Sequence, residues 1–114
     1  MVEKVEKPWG YEKIWAQTDE YVGKILMIDG GHRLSRQYHE VKDETIYVLD
    51  GALYLEIGEG ESIEKRVLSA GDSYHVLPGT VHRFCAEHTA CTIVEVSTPE
   101  LNDVVRLEDD YNRD

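Results

Sequence analysis

Apolar and polar residues alternate with a period of two over short stretches of this chain, and turn residues separate the stretches. In Ala52–Ile57, the side chains of Leu53, Leu55 and Ile57 fall on one side and those of Tyr54 and Glu56 on the other, the pattern of a strand with one buried face. The same reading predicts strands over residues 12–16, 22–28, 34–39, 44–49, 63–68, 73–77, 81–86 and 91–97. Between them lie Asp29-Gly30-Gly31, Asp50-Gly51, Gly58-Glu59-Gly60, Ala70-Gly71-Asp72 and Pro78-Gly79. Strands this short and this regularly interrupted predict an all-β sandwich or barrel. Asp50-Gly51, flanked by apolar runs, predicts a hairpin, because a type I′ turn needs positive φ at both central residues. No helical period is sustained. Pro99 followed by Glu100-Leu101-Asn102-Asp103 predicts one short turn, and residues 108–114 read as a solvated end unless Arg106 and Tyr111 anchor them.

Length and charge narrow the picture. A chain of 114 residues is expected to form one domain, with residues 1–12 and the acidic tail 99–114 packed on the barrel. Twelve Lys plus Arg against 23 Asp plus Glu give a net charge of −11, which repels phosphate polyanions and acidic lipid, so neither nucleic acid nor membrane is expected as a partner. The longest aliphatic run, Ile25-Leu26-Met27-Ile28, falls far short of the ~20 residues of a bilayer span. The start of the chain lacks the basic and apolar regions of a secretory signal, and a cytoplasmic location is expected. Cys85 and Cys91 flank a turn at 86–90 and could face each other across a hairpin, but without a CxxC spacing or an oxidising context they read as buried, reduced thiols.

The chemistry concentrates in four residues. Gln37 and His39 are two apart and share a strand face. A tight connection, Glu40 to Asp43, then lets Glu44 return a carboxylate to the same space, and His82, after Pro78-Gly79, closes the set from another strand. Two imidazoles, a carboxylate and an amide oxygen suit one divalent metal ion, with zinc put first and manganese, iron, nickel and cobalt left open. Four protein ligands leave coordination positions free for a substrate oxygen. Arg33 shares the parity of Gln37 and His39, so on a regular strand it enters the same cavity as an anion binder; a salt bridge to an acidic residue is the equal alternative. Arg36 is then expected to point out, and Arg83 to face away from His82. His88 reads as a turn residue and His75 as a core or pocket-rim residue. Trp9 and Tyr11 read as a staple of the N-terminal segment to the barrel.

Gly31-x5-Gln37-x-His39-x4-Glu44-x6-Gly51 resembles the first motif of the cupins, and Gly71-x7-Gly79-x2-His82 resembles the second. The resemblance implies a single-domain cupin, a double-stranded β-helix or jelly-roll barrel. The stretches Lys7-Pro8-Trp9-Gly10-Tyr11-Glu12, Arg33-Leu34-Ser35-x-Gln37-x-His39, Val81-His82-Arg83 and Asp103 to Arg113 are similar to the C-terminal cupin domain of type II mannose-6-phosphate isomerases, in which glutamine also occupies the first ligand position. That resemblance implies aldose–ketose isomerisation of a sugar phosphate and adds Lys24, which matches a lysine of that family, to Arg33 and His75 as catalytic or substrate-binding candidates. Lys24, His75 and a hydroxide on the metal are the open candidates for the base. A small-molecule substrate and a homodimer are implied as partners. A non-catalytic sugar- or metabolite-binding module and an iron-dependent cupin oxygenase are the alternatives.

Overall fold

The computed structural model describes residues 2–113, so Met1 and Asp114, the outer ends of the two expected terminal segments, lie outside the described residues. Twelve strands and one 3-10 turn at Gly60–Ser62 make up the regular structure, with no α-helix among the described residues. The first sheet contains β1 (Glu3–Lys7), β2 (Gly10–Gln17), β3 (Val22–Ile28), β6 (Glu44–Asp50), β9 (Ser73–Val76) and β11 (Cys91–Ser97), in the order β1-β2-β3-β11-β6-β9. The second contains β5 (Arg36–Tyr38), β7 (Ala52–Ile57), β8 (Glu64–Ser69), β10 (His82–Ala86) and β12 (Val105–Glu108), in the order β12-β5-β10-β7-β8, with the two-residue β4 (His32–Arg33) also on β10. Every ladder is antiparallel, and the sequence neighbours β5 and β6, β6 and β7, and β10 and β11 lie in opposite sheets. This exchange between sheets is the all-β jelly-roll arrangement expected from the alternation.

Inward positions of both sheets fill the space between them. Ile28, Ile46, Val48, Leu53, Leu55 and Ile93 have no exposed surface, and each such side chain stabilises the fold by about 1.5–3 kcal/mol relative to exposure. The core occupies one end of the barrel. At the other end polar side chains replace the apolar ones along the same inward rows, and there the cavity opens.

Asp50-Gly51 turns the chain as expected but not into a hairpin. β6 pairs with β11 and β9, whereas β7 pairs with β10 and β8, so the turn carries the chain from one sheet to the other. Gly51 has φ +80°, and a Cβ there would overlap the Ala90 carbonyl oxygen. Cys85 and Cys91 likewise lie on strands of different sheets rather than across a hairpin. Both are free and buried, and burial pushes both thiols up to about 11, which leaves them protonated.

Both ends of the chain are more ordered than the alternation predicts. Residues 3–7 carry charge at four of five positions, yet pair along β2 as β1, a strand built on backbone bonds rather than on an apolar face. Trp9, at the β1–β2 turn, is in the core at 3% exposure, as the staple reading expects. The tail is tethered: β12 pairs with β5, Tyr111 packs against the core, and Asp110 binds Arg33 through two oxygens (2.7 and 3.1 Å) and Arg83 at 3.0 Å. Arg36 does point away from the cavity but is not exposed. At 3% exposure it meets Glu56 (2.6 Å), Glu108 (3.0 Å) and the Gly58 carbonyl (3.1 Å) under the tail.

The Gly51→Ala variant is expected to unfold with about 1–3 kcal/mol less free energy than the parent, the cost of a left-handed non-glycine residue, and urea denaturation measures it. An unchanged midpoint would show that this crossing tolerates a side chain.

Candidate functional site

Three buried side chains converge at the open end of the barrel. His39 follows β5, Glu44 begins β6 and His82 begins β10, and one ligand atom from each lies within 4.8 Å of the other two. The loop 40–43 returns the chain to the first sheet, which is why residues five apart meet. It is held by Asp103, whose carboxylate accepts from the backbone amides of Glu40, Val41 and Lys42 (3.0, 2.7 and 2.8 Å). Those amides hold the Asp103 carboxyl below its usual range.

Each imidazole is oriented from behind by a backbone carbonyl. His39 Nδ1 donates to Asp103 O (2.6 Å) and His82 Nδ1 to Thr80 O (2.8 Å), so both rings present Nε2 to the site. His39 Nε2 is 2.7 Å and His82 Nε2 is 3.7 Å from Glu44 Oε1. All three atoms are buried without a hydrogen-bond partner. With Nδ1 carrying the ring proton, Nε2 and Oε1 are lone-pair donors aimed at one point, which requires a cation or an added proton between them. The set therefore fits a divalent ion. Burial pushes His82 below the ordinary imidazole value, only partly opposed by Glu44, so it stays neutral as a ligand must. Burial alone would raise the Glu44 carboxyl, but the adjacent His39 ring, a hydrogen bond from Glu95 and the charge of Lys42 overcome it and hold Glu44 well below the carboxylate range.

Gln37 faces His82 directly across the β5–β10 ladder and lines the same cavity, with Ser35 Oγ donating to its Oε1 at 2.6 Å. Lys24 also lines the cavity, its Nζ 2.8 Å from Glu12 Oε2. Arg33 and His75 do not. The strand expected over 34–39 is broken at Leu34-Ser35, so parity is not carried from Arg33 to Gln37, and Arg33 turns outward to Asp110. His75 is on the outer side of β9, half-exposed, at 2.6 Å from Asp43 Oδ1. Arg83 faces away from His82, as expected, and donates to the Leu34 carbonyl at 2.8 Å.

Sequence reasoning missed several cavity residues. Glu95, at 3% exposure on β11, hydrogen-bonds Glu44 and has Lys42 Nζ 3.1 Å from its Oε2. Burial and the Glu44 charge push its carboxyl up to about 8 despite the lysine. Lys42 stays charged, because Glu95 and Glu44 outweigh the opposing effect of burial. The one available signal was parity with Ile93, a weak one in a strand whose other face, Val94 and Val96, is also apolar. The cavity, about 110 Å³, thus carries five cationic side chains (Lys7, Lys24, Lys42, Arg106, Arg113) against three carboxylates (Glu12, Glu44, Glu95) in a protein of net charge −11.

Solved structures share this architecture. KdgF from Halomonas sp. is 28% identical, with 89% of each chain covered and a TM-score of 0.76. An RmlC-like cupin from Shewanella frigidimarina is 20% identical, with 90% of this chain and 88% of the other covered and a TM-score of 0.74. The capsular polysaccharide assembling protein CapF from Staphylococcus aureus superposes at TM-score 0.82 with 15% identity; 95% of this chain covers 34% of that one. No curated protein matches the sequence. The cupin domain model matches residues 24–97, which contain His39, Glu44 and His82, and the chain belongs to the cupin family.

Proposed function

We propose that this cupin is a metal-dependent isomerase that interconverts the aldose and ketose forms of a sugar phosphate, a reaction of the mannose-6-phosphate isomerase kind. The observation that carries this reading is Glu95, a buried carboxyl beside the three-residue metal set and facing the same cationic cavity. Gln37 is the fourth ligand in this reading and zinc the first choice of ion. The sequence similarity to the isomerase cupin domain supports the substrate class, and the likeness in fold to a capsular polysaccharide assembling protein is in keeping with a sugar ligand.

A divalent ion at His39, Glu44 and His82 supplies Lewis acidity toward the oxygens on the first two sugar carbons. The protein does the rest. In its ionised form, favoured once the Glu44 charge is met by the ion and with Lys42 alongside, the Glu95 carboxyl removes the proton from the carbon next to the carbonyl, and the C–H electron pair becomes the double bond of a cis-enediol. The resulting acid returns the proton to the former carbonyl carbon, while the hydroxyl proton passes from one oxygen to the other, so nothing is gained or lost overall. Lys42 positions Glu95 from 3.1 Å, and Lys24, next to Glu95 across the β3–β11 ladder, offsets negative charge on the enediol oxygens. Arg33 and His75 have no part in this scheme, because neither reaches the cavity.

Zinc at about a hundredfold excess over its Kd is expected to raise the melting temperature of the chelator-treated protein by roughly 10 °C. The shift should vanish in His82→Ala, and an equal shift in that variant would overturn the metal assignment. In a coupled assay with mannose 6-phosphate, Glu95→Gln is expected to lower kcat about 10²–10⁴-fold while leaving the zinc-induced shift in place. Unchanged turnover removes Glu95 from the mechanism. Substrate binding without turnover in the parent supports a sugar-binding module instead.

A further inference from the structure

The strap of residues 98–104, which joins β11 to β12, borders the cavity through Leu101 and Val104. Its own backbone bonds are local: Leu101 N donates to Pro99 O, Asp103 N to Glu100 O and Val104 N to Asn102 O. Two residues tie it to the loop 40–43 on the barrel. Thr98 exchanges bonds with Asp43, its amide donating to the Asp43 carbonyl and its Oγ1 accepting from the Asp43 amide, both at 3.0 Å. Asp103 does more, since its carboxylate takes three successive amides of the loop and its carbonyl takes His39 Nδ1.

The loop is the piece of chain between two of the three ligands, His39 and Glu44. Its backbone path therefore sets how far apart they stand. An imidazole offers a lone pair at Nε2 only while Nδ1 keeps the proton, and the Asp103 carbonyl is the acceptor that holds it there. If the strap swings away, three loop amides lose their acceptor and the His39 ring loses its orientation in the same movement. His82 does not share this dependence, because its Nδ1 donates to Thr80 O on its own turn.

We infer that Asp103 is a positioning residue of the metal centre, through which ion binding and closure of the 98–104 strap onto the 40–43 loop become one coupled event. The inference rests on the metal assignment and is independent of the reaction proposed. Coupling of this kind is reciprocal: the closed strap raises affinity for the ion, and the bound ion holds the strap closed by the same free energy. Asp110, which also fastens the C-terminal segment, provides the contrast. It grips Arg33 and Arg83, neither of which lines the cavity.

Zinc titration by calorimetry and hydrogen–deuterium exchange of the full chain test this together. Zinc is expected to slow amide exchange over residues 40–43 and 98–104 about threefold or more in the parent. Asp103→Ala should remove the protection of the strap and weaken zinc binding about 10–100-fold, the range for a group that orients a metal ligand. Asp103→Asn, which keeps one acceptor oxygen, should fall between and guards against a folding defect. Asp110→Asn should lower the melting temperature yet leave zinc affinity within about twofold of the parent's. Ring nitrogen NMR shifts of His39 give a readout that a merely structural role does not move: the form protonated at Nδ1 should dominate in the parent and give way to a mixture in Asp103→Ala. Parental zinc affinity in Asp103→Ala, or equal weakening by Asp110→Asn, overturns the coupling. A parent that binds no zinc removes the metal assignment and the coupling with it. Zinc binding with strap protection in a protein that turns over no sugar phosphate leaves the coupling standing and sinks only the isomerase reading.

Discussion

A carboxylate with 2% exposure, Glu44, lies between two imidazoles that are each fixed from behind by a backbone carbonyl. Burying that charge costs several kcal/mol unless it is met, and much of the barrel's polar end serves to meet it. His39 and His82 face it directly, Glu95 shares a hydrogen bond with it, and Lys42 answers the charge of both acids. The network reaches outward through Asp103, which grips the loop carrying Lys42 and at the same time orients His39 through its own carbonyl. One residue of the C-terminal segment thus sets the geometry of a site formed by three elements of the barrel.

The opposite face of the second sheet repeats this logic without a cavity. Arg36 and Arg83, almost fully buried, are neutralised by Glu56, Glu108 and Asp110. Two of those three acids lie in the tail. The tail therefore completes an ion network beneath it while its other arginines border the cavity, and its docking links the two sides of the sheet.

The fold was legible in the sequence because alternation and turn residues are local signals, and the convergence of His39, Glu44 and His82 was legible because an i, i+2 pair and short turns constrain direction strongly. Errors arose where a local rule was carried past a break. Parity would bring Arg33 into the cavity on a regular strand, but parity counts only along an unbroken one, and with the strand interrupted at Leu34-Ser35 the equal alternative, a salt bridge to an acid, is met by Asp110. At Asp50-Gly51 only Gly51 takes the positive φ that a type I′ turn needs at both central residues, and a turn does not specify whether the strands it joins will pair or part. Glu95, Lys42 and Glu12 escaped because a buried charge in a sequence with 23 acidic residues looks like any surface charge until its partner is known.

The 24–97 span that matches the cupin model holds the metal set, yet seven of the side chains around the cavity lie outside it: Lys7, Trp9 and Glu12 on one side, Leu101, Val104, Arg106 and Arg113 on the other. The metal set and much of the cavity wall around it are therefore encoded in different stretches of chain. Because Asp103 of the C-terminal extension orients His39 and holds the 40–42 amides, that wall can be reshaped without disturbing the set only where this one residue is kept, which couples the shape of the cavity to the geometry behind it.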